Sequence, residues 1–335
     1  DLAKSQEVTV QLRPSTTNQR QSLTASTINH DGRLAELSSG DAVCNDGSKA
    51  KVSVYDNDPK KWAIFMPGGG SAGSVDEFVK RSATKHLVSA PKSPSGNNAI
   101  TRQLLTLGYS VVIIPYCSSD LYQGNHYQLI KGSQIPFKGR VILESLVKDF
   151  DQYFRNAEDL ILIGSSAGAV GLGFNLDLFG SYENTRMILD SFWFDRSTLR
   201  WYSEDYPRVR KERVQFQFSN LPPHCGGRFQ NCWISSALLD KWRISEAFII
   251  WNLGDPFQAG VKNRKGLEAD IRRDLTKYEG GFSVRVDQTK FKNEKNGHVM
   301  VTDPQVYEQN FNGISLSQLV KNWIERKGKT LHIDY

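Results

Sequence analysis

Apolar residues in this chain fall into short continuous runs separated by longer amphipathic ones. SVVIIP (Ser110–Pro115), DLILIG (Asp159–Gly164), TRMILDSFWF (Thr185–Phe194) and EAFIIWN (Glu246–Asn252) read as buried strands, and FSVRVD (Phe282–Asp287) as a late one. Between them, GRVILESLVKDFDQYF (Gly139–Phe154) puts Leu143, Leu146, Val147, Phe150 and Phe154 at helical spacing. KGLEADIRRDLTKY (Lys265–Tyr278) predicts a second helix, and ISLSQLVKNWIERKG (Ile314–Gly328) a closing one. The alternation predicts an α/β fold with a mostly parallel sheet covered by helices on both faces. Upstream, KVSVYD (Lys51–Asp56) and WAIFM (Trp62–Met66), joined by the turn residues DNDP, predict a hairpin entering that sheet.

Two segments break the pattern. Residues 1–30 are polar, rich in Ser, Thr and Gln, and read as an arm or tail in which VTVQL (Val8–Leu12) is a possible edge strand. Residues 195–243 are aromatic and basic and read as a cap-like insertion. The expected organisation is a polar segment 1–30 followed by one domain over 31–335. No apolar run reaches eighteen residues, so no membrane span is expected. The opening DLAKSQEVTV has neither the basic nor the apolar region of a signal peptide.

The 335 residues carry a formal net charge of +6. RVRKER (Arg208–Arg213), VKNRKG (Val261–Gly266) and KFKNEK (Lys290–Lys295) contain or neighbour acids and lack interleaved stacking aromatics. They read as solvated faces, with weak polyanion binding at most and no nucleic-acid partner. The four cysteines, Cys44, Cys117, Cys225 and Cys232, form no CxxC and lie near no His cluster, so neither a metal nor a cofactor is expected. Cys225 with Cys232 and Cys44 with Cys117 are natural pairings by position, and four free thiols are equally compatible with a chain this long.

The candidate chemistry starts at Gly164-Ser165-Ser166-Ala167-Gly168, a G-x-S-x-G that follows a buried strand and opens a helical run. That context marks Ser166 as a nucleophile at a strained turn; the alternative is a strand–helix bend with glycines for close packing. A serine hydroxyl needs a base and the base an orienting acid, here in the order Ser, acid, His. Of six histidines only His298 and His332 lie far enough along the chain, and His332 sits in a tail. His298, in NEKNGHVMVTDP, is the candidate base. Asp255, in FIIWNLGDP, lies on the strand just before and is the candidate acid. Its rival Asp190, in MILDSF, reads as a structural acceptor or a wall of the site. For the oxyanion, IFMPGGGSAG (Ile64–Gly73) offers the backbone N–H groups of Gly69 and Gly70, joined by that of Ala167. A phosphate cradle is the competing use of such glycines, but no G-K-[ST] follows.

CNDGS (Cys44–Ser48), PGGG (Pro67–Gly70), IPYCSSD (Ile114–Asp120), GSSAG and GHVMVTD together resemble the Notum and pectin acetylesterase family of carboxylesterases, from Cys44 to the closing helix. The resemblance implies an α/β-hydrolase fold, a Ser166–Asp255–His298 triad, oxyanion donors at Gly69, Gly70 and Ala167, and the bridges Cys44–Cys117 and Cys225–Cys232. It implies a secreted enzyme acting on an acyl ester. The substrate is either a lipidated protein such as palmitoleoylated Wnt or an acetylated polysaccharide such as pectin. Where the family carries EGGW, this chain has PGGG, so Gly70 replaces an aromatic wall of the lipid pocket. Trp193, Phe194, Trp233 and Ile234 are candidate walls here, with ordinary core packing as their other reading. A non-catalytic relative that grips an acylated or glycosylated partner is the alternative of another class.

Overall fold

The computed structural model describes residues 31–96, 98–192, 206–217, 246–252, 255, 262–275, 281–284, 298–311, 314–326 and 333–334. Thirteen strands lie among them: β1 (Arg33–Glu36), β2 (Lys51–Tyr55), β3 (Asp58–Met66), β4 (Tyr109–Ile113), β5 (His126–Ile130), β6 (Ser133–Phe137), β7 (Asp159–Ser165), β8 (Thr185–Asp190), β9 (Ala247–Asn252), β10 (Gly281–Val284), β11 (Asn310–Phe311), β12 (Ile314–Ser315) and β13 (Ile333–Asp334). The α-helices among the described residues are α1 (Val75–Ser82), α2 (Ala99–Thr106), α3 (Gly139–Arg155), α4 (Ala167–Phe174), α5 (Tyr206–Gln217), α6 (Arg264–Leu275), α7 (Pro304–Tyr307) and α8 (Leu316–Ile324).

Nine strands form one sheet in the order β1-β2-β4-β3-β7-β8-β9-β10-β13. From β4 to β13 every neighbouring pair is parallel, and β1 and β2 are antiparallel at one edge. The expected α/β architecture is therefore present. The hairpin expected between β2 and β3 is not. β2 pairs with β4, and β4 lies between β2 and β3. The turn residues at Asp56 and Asn57 reverse the chain, but β4 is buried along its whole length and takes the central place beside β3. The closing helix is also not the last element, because β13 adds a parallel edge strand next to β10.

Alternation along each strand sorts the core into two layers, as the period of two requires. Trp62, Ile64, Leu160, Leu162, Met187, Leu189 and Ile249 face α3 and α6. Ala63, Phe65, Ile161, Ile163, Ile188 and Ile250 face α2, α7 and α8. Helix α3 buries Ile142, Leu143, Leu146, Phe150 and Phe154 on one stripe. Side-chain caps define the starts of α1, α2 and α8: Ser74, Asn98 and Ser315 accept from the N–H of Glu77, Thr101 and Gln318. Among the described residues Cys44 is bonded to Cys117. Cys225, Cys232, the segment VTVQL and most of the cap-like insertion lie outside the described residues.

Candidate active site

In an open parallel sheet the ends of the strands gather loops into one crevice. Here β3 leads to Gly68–Gly70, β7 to Ser166, β8 to Asp190, β9 to Asp255 and β10 toward His298.

Strand β7 ends at Ser165, and α4 starts at Ala167. Ser166 between them has φ 53° and ψ −117°, a strained conformation for a residue with a side chain. The turn holds because its neighbours are nearly bare. A Cβ on Gly168 would lie 1.8 Å from the Met66 carbonyl oxygen, and one on Gly164 2.5 Å from the Ala169 Cα. The Ser166 N–H donates to the Asp190 carbonyl at 2.8 Å.

His298 Nε2 lies 2.8 Å from Ser166 Oγ, and its Nδ1 lies 2.7 Å from Asp255 Oδ2. With an ionised Asp255 the proton sits on Nδ1, leaving Nε2 to accept from the serine hydroxyl. Asp255 is buried at 2% exposure. The structure thus brings together the three residues singled out from sequence.

Asp190 is also buried, but its contacts are different. Oδ2 accepts from Ser165 Oγ at 3.0 Å and the Val301 N–H at 3.1 Å, and Oδ1 accepts from Ser191 Oγ at 2.9 Å. Ser191 Oγ in turn accepts from the Val299 N–H at 2.8 Å. Val299 has φ 60°, costly for a β-branched residue, so these bonds fix the backbone on which His298 sits. Burial raises the Asp190 carboxyl above its ordinary range, and its donors and His298 pull it back. Asp190 accepts from backbone and serine donors, whereas Asp255 pairs with the His298 ring. Strand β8 stops there because Ser191, at φ 62°, turns the chain; the apolar run had extended the strand to Phe194.

The glycine loop lies against the serine. A Cβ on Gly68 would fall 2.7 Å from Ser166 Cβ, and Gly69 and Gly70 have φ 150° and 69°. Among the described residues the N–H groups of Gly69 and Gly70 have no hydrogen-bond partner. Ala167 opens α4, so its N–H is one of the unpaired donors of a helix start.

Ser166, His298 and Gly68–Gly70 open onto a cavity of about 670 Å³. Its apolar walls include Phe65, Leu87, Ile113, Pro115, Tyr116 and Val299; Ser53, His86, Ser95 and Asn98 add polar groups. None of these was read as a pocket wall from sequence; Phe65, Pro115, Tyr116 and Val299 lie in quoted motifs, but only the fold brings segments so far apart in the chain together. Trp193, Phe194, Trp233 and Ile234 lie outside the described residues. Among the described residues no cluster of His, Cys, Asp and Glu fits a metal ion, and no helix is long and apolar enough to cross a membrane.

Comparison with known proteins fits this geometry. The sequence model of the pectinacetylesterase family matches residues 30–258, more than half of the chain. Palmitoleoyl-protein carboxylesterase notum2 of Xenopus laevis is 24% identical over 333 residues, covering 88% of this chain and 67% of the relative. NOTUM of Schmidtea mediterranea is 29% identical over 289 residues, covering 72% and 52%. NOTUM of Homo sapiens is 29% identical over 269 residues, covering 71% and 54%. The chain spans about half to two thirds of the length of these relatives. It belongs to the pectinacetylesterase family of carboxylic ester hydrolases, together with the Notum carboxylesterases.

Proposed function

We propose that residues 31–335 form one catalytic unit, a serine carboxylesterase working through Ser166, His298 and Asp255. The observation that carries this is the continuous chain from Asp255 through His298 to a strained Ser166 on the floor of a 670 Å³ cavity. His298 Nε2 takes the Ser166 proton as Oγ attacks the ester carbonyl. The N–H groups of Gly69, Gly70 and Ala167 receive the oxyanion. Collapse breaks the bond to the leaving alcohol, which takes the proton from His298 and leaves an acyl-serine. Water, deprotonated by His298, then releases the carboxylic acid and restores Ser166. Asp255 keeps the Nδ1 proton in place throughout.

The favoured substrate is a long acyl ester on a protein, as the names of the relatives state for them. The cavity lies within the ~300–1,000 Å³ of sites for drug-sized ligands, far more than an acetyl group fills, and its walls are largely apolar. The second reading is an acetylated polysaccharide, favoured by the polar Ser53, Ser95 and Asn98 in the cavity lining. The Cys44–Cys117 bridge fits a protein that matures outside the cytoplasm.

A series of p-nitrophenyl esters from acetyl upward, on wild type and Ser166→Ala, tests both levels. Activity that peaks at medium or long chains and vanishes in the variant supports the lipid reading. A peak at acetyl moves the assignment to the polysaccharide, and hydrolysis retained by Ser166→Ala overturns the mechanism.

A further inference from the structure

CNDGS and IPYCSSD contribute no atom to the chain from Asp255 to Ser166. They build a buried polar network that ends on the glycine loop. The Asn45 N–H donates to the Cys117 carbonyl at 2.9 Å, beside the Cys44–Cys117 bridge. Asn45 Nδ2 donates to the carbonyls of Ser118 and Pro136 at 3.0 and 2.6 Å. Its Oδ1 accepts from Ser119 Oγ at 2.6 Å. Ser119 Oγ accepts from Arg81 Nε at 2.8 Å, and Arg81 Nη1 donates to the Gly69 carbonyl. The guanidinium lies over the Tyr116 ring, 4.9 Å from its centre. Tyr122 OH, two residues beyond IPYCSSD, donates to the Pro67 carbonyl at 2.9 Å.

The direction of these bonds matters. In a trans peptide the C=O and N–H point to opposite sides. Arg81 holds the Gly69 carbonyl, so the N–H of Gly70 in the same peptide points away from Arg81. Gly70 and Ser166 line the cavity, and Arg81 does not. A cationic donor on a carbonyl also polarises the amide and strengthens its N–H as a donor. Gly70 has φ 69° and little around it, since a Cβ there would find only Arg81 Nη1, at 3.8 Å. Arg81 is thus the side chain that both holds this peptide's carbonyl and borders Gly70, while Leu87 and Tyr116 pack against Gly69.

From this geometry we infer that Arg81 is a positioning residue for ester hydrolysis: anchored by Ser119 and Tyr116, it sets the Gly69–Gly70 peptide so that the Gly70 N–H faces the oxyanion. The inference rests on the mechanism proposed above and adds to it a residue that touches neither the serine nor the ester.

The test compares Arg81→Met, Arg81→Lys and Ser119→Ala with wild type and Ser166→Ala. The readouts are kcat and KM on the best p-nitrophenyl ester, and inhibition by a trifluoromethyl ketone, which forms a tetrahedral adduct with the serine. Removing an oxyanion donor outright costs about 10²–10³ in rate. Arg81→Met is expected to lower kcat about 10- to 100-fold with KM within about 2-fold, and to weaken the ketone by the same factor as kcat/KM. Ser119→Ala, which removes one anchor, should show a smaller loss of the same kind. Added guanidinium should restore part of the Arg81→Met activity. An unchanged kcat, or a loss in KM with ketone affinity intact, overturns the inference. If Arg81→Met does not fold, Arg81→Lys and Ser119→Ala decide by the same two readouts. Activity surviving in Ser166→Ala would instead overturn the mechanism, whatever the Arg81 variants do.

Discussion

Asp190 accepts a hydrogen bond from the N–H of Val301 at 3.1 Å while its neighbouring residue Ser191 holds the N–H of Val299 at 2.8 Å. The end of β8 thereby grips the backbone on both sides of Met300, directly after His298. The same carboxylate takes the hydroxyl of Ser165, next to Ser166. One buried acid joins the turn that carries Ser166 to the loop that carries His298.

Replacing Asp190 should therefore separate geometry from chemistry. Asp190→Ala leaves the Val301 N–H buried without a partner, at a cost of about 1–3 kcal/mol. It should lower Tm and reduce kcat together. Asp190→Asn keeps one acceptor and should retain more of both. Thermal melts and steady-state kinetics on the two variants check this; an Asp190→Ala enzyme with wild-type Tm and kcat would remove Asp190 from the site's support.

The serine turn should tolerate no side chain at Gly168. A Cβ there meets the Met66 carbonyl oxygen at 1.8 Å, backbone against backbone, with no flexible group to give way. Gly168→Ala should cost more than about 4 kcal/mol, enough to prevent accumulation of folded protein. Gly40→Ala is the control: nothing lies within 4 Å of its added Cβ, and the change should stay within about 0.5 kcal/mol. Soluble yield and urea midpoints distinguish them.

Asp120 should make stability fall with rising pH. Its carboxylate is fully buried and accepts from Ser118 Oγ and from the N–H groups of Tyr122, Gly124 and Gly139. Burial pushes its carboxyl from 3.8 up to about 6, against the pull of those donors. Between these values the folded state holds more protons than the unfolded one. The contribution to stability is complete below pH 3.8 and lost as pH rises through about 6. A shift of this size corresponds to about 3 kcal/mol. Urea unfolding of wild type from pH 4 to 7 should lose up to that amount relative to Asp120→Asn. Parallel curves would remove Asp120 as the source.

Arg186 should matter for stability alone. Its side chain is 2% exposed and pairs with Asp159. It also donates to the carbonyls of Trp323 and Ile324, each at 3.1 Å, in the last turn of α8. Arg186→Met removes the charge and leaves Asp159 and those carbonyls without it, costing about 3–5 kcal/mol. Activity per folded molecule should be unchanged. Denaturant titration with active-site counting tests both halves.

The sheet was legible because parallel strands buried on both faces cannot alternate; DLILIG and EAFIIWN announce themselves. Ser166, Asp255 and His298 could be singled out together because a strained turn needs bare neighbours and the order Ser, acid, His narrows the partners, and the structure brings the three within hydrogen-bond distance. The hairpin His126–Ile130 with Ser133–Phe137 was missed, although Lys131 and Gly132, both at positive φ, form a two-residue turn. Its alternation puts the apolar Tyr127 and Leu129 on the exposed side, the reverse of a core-facing strand. The error at β2 and β3 has a different origin. A turn between two strands reads as a hairpin locally, and only the distant β4 decides otherwise. Arg81 and the cavity walls stayed invisible because their roles come from where distant segments meet.

The Cys44–Cys117 bridge carries a kinetic consequence. Both residues are wholly buried and enclose the segment that holds the glycine loop and Arg81. A thiolate must reach one sulfur to exchange with it. Reduction of the native protein therefore waits for that corner to open, and at high reductant its rate becomes the opening rate itself. Labelling of Cys44 and Cys117, followed apart from Cys225 and Cys232, is thus a clock for the segment between them, readable without any substrate.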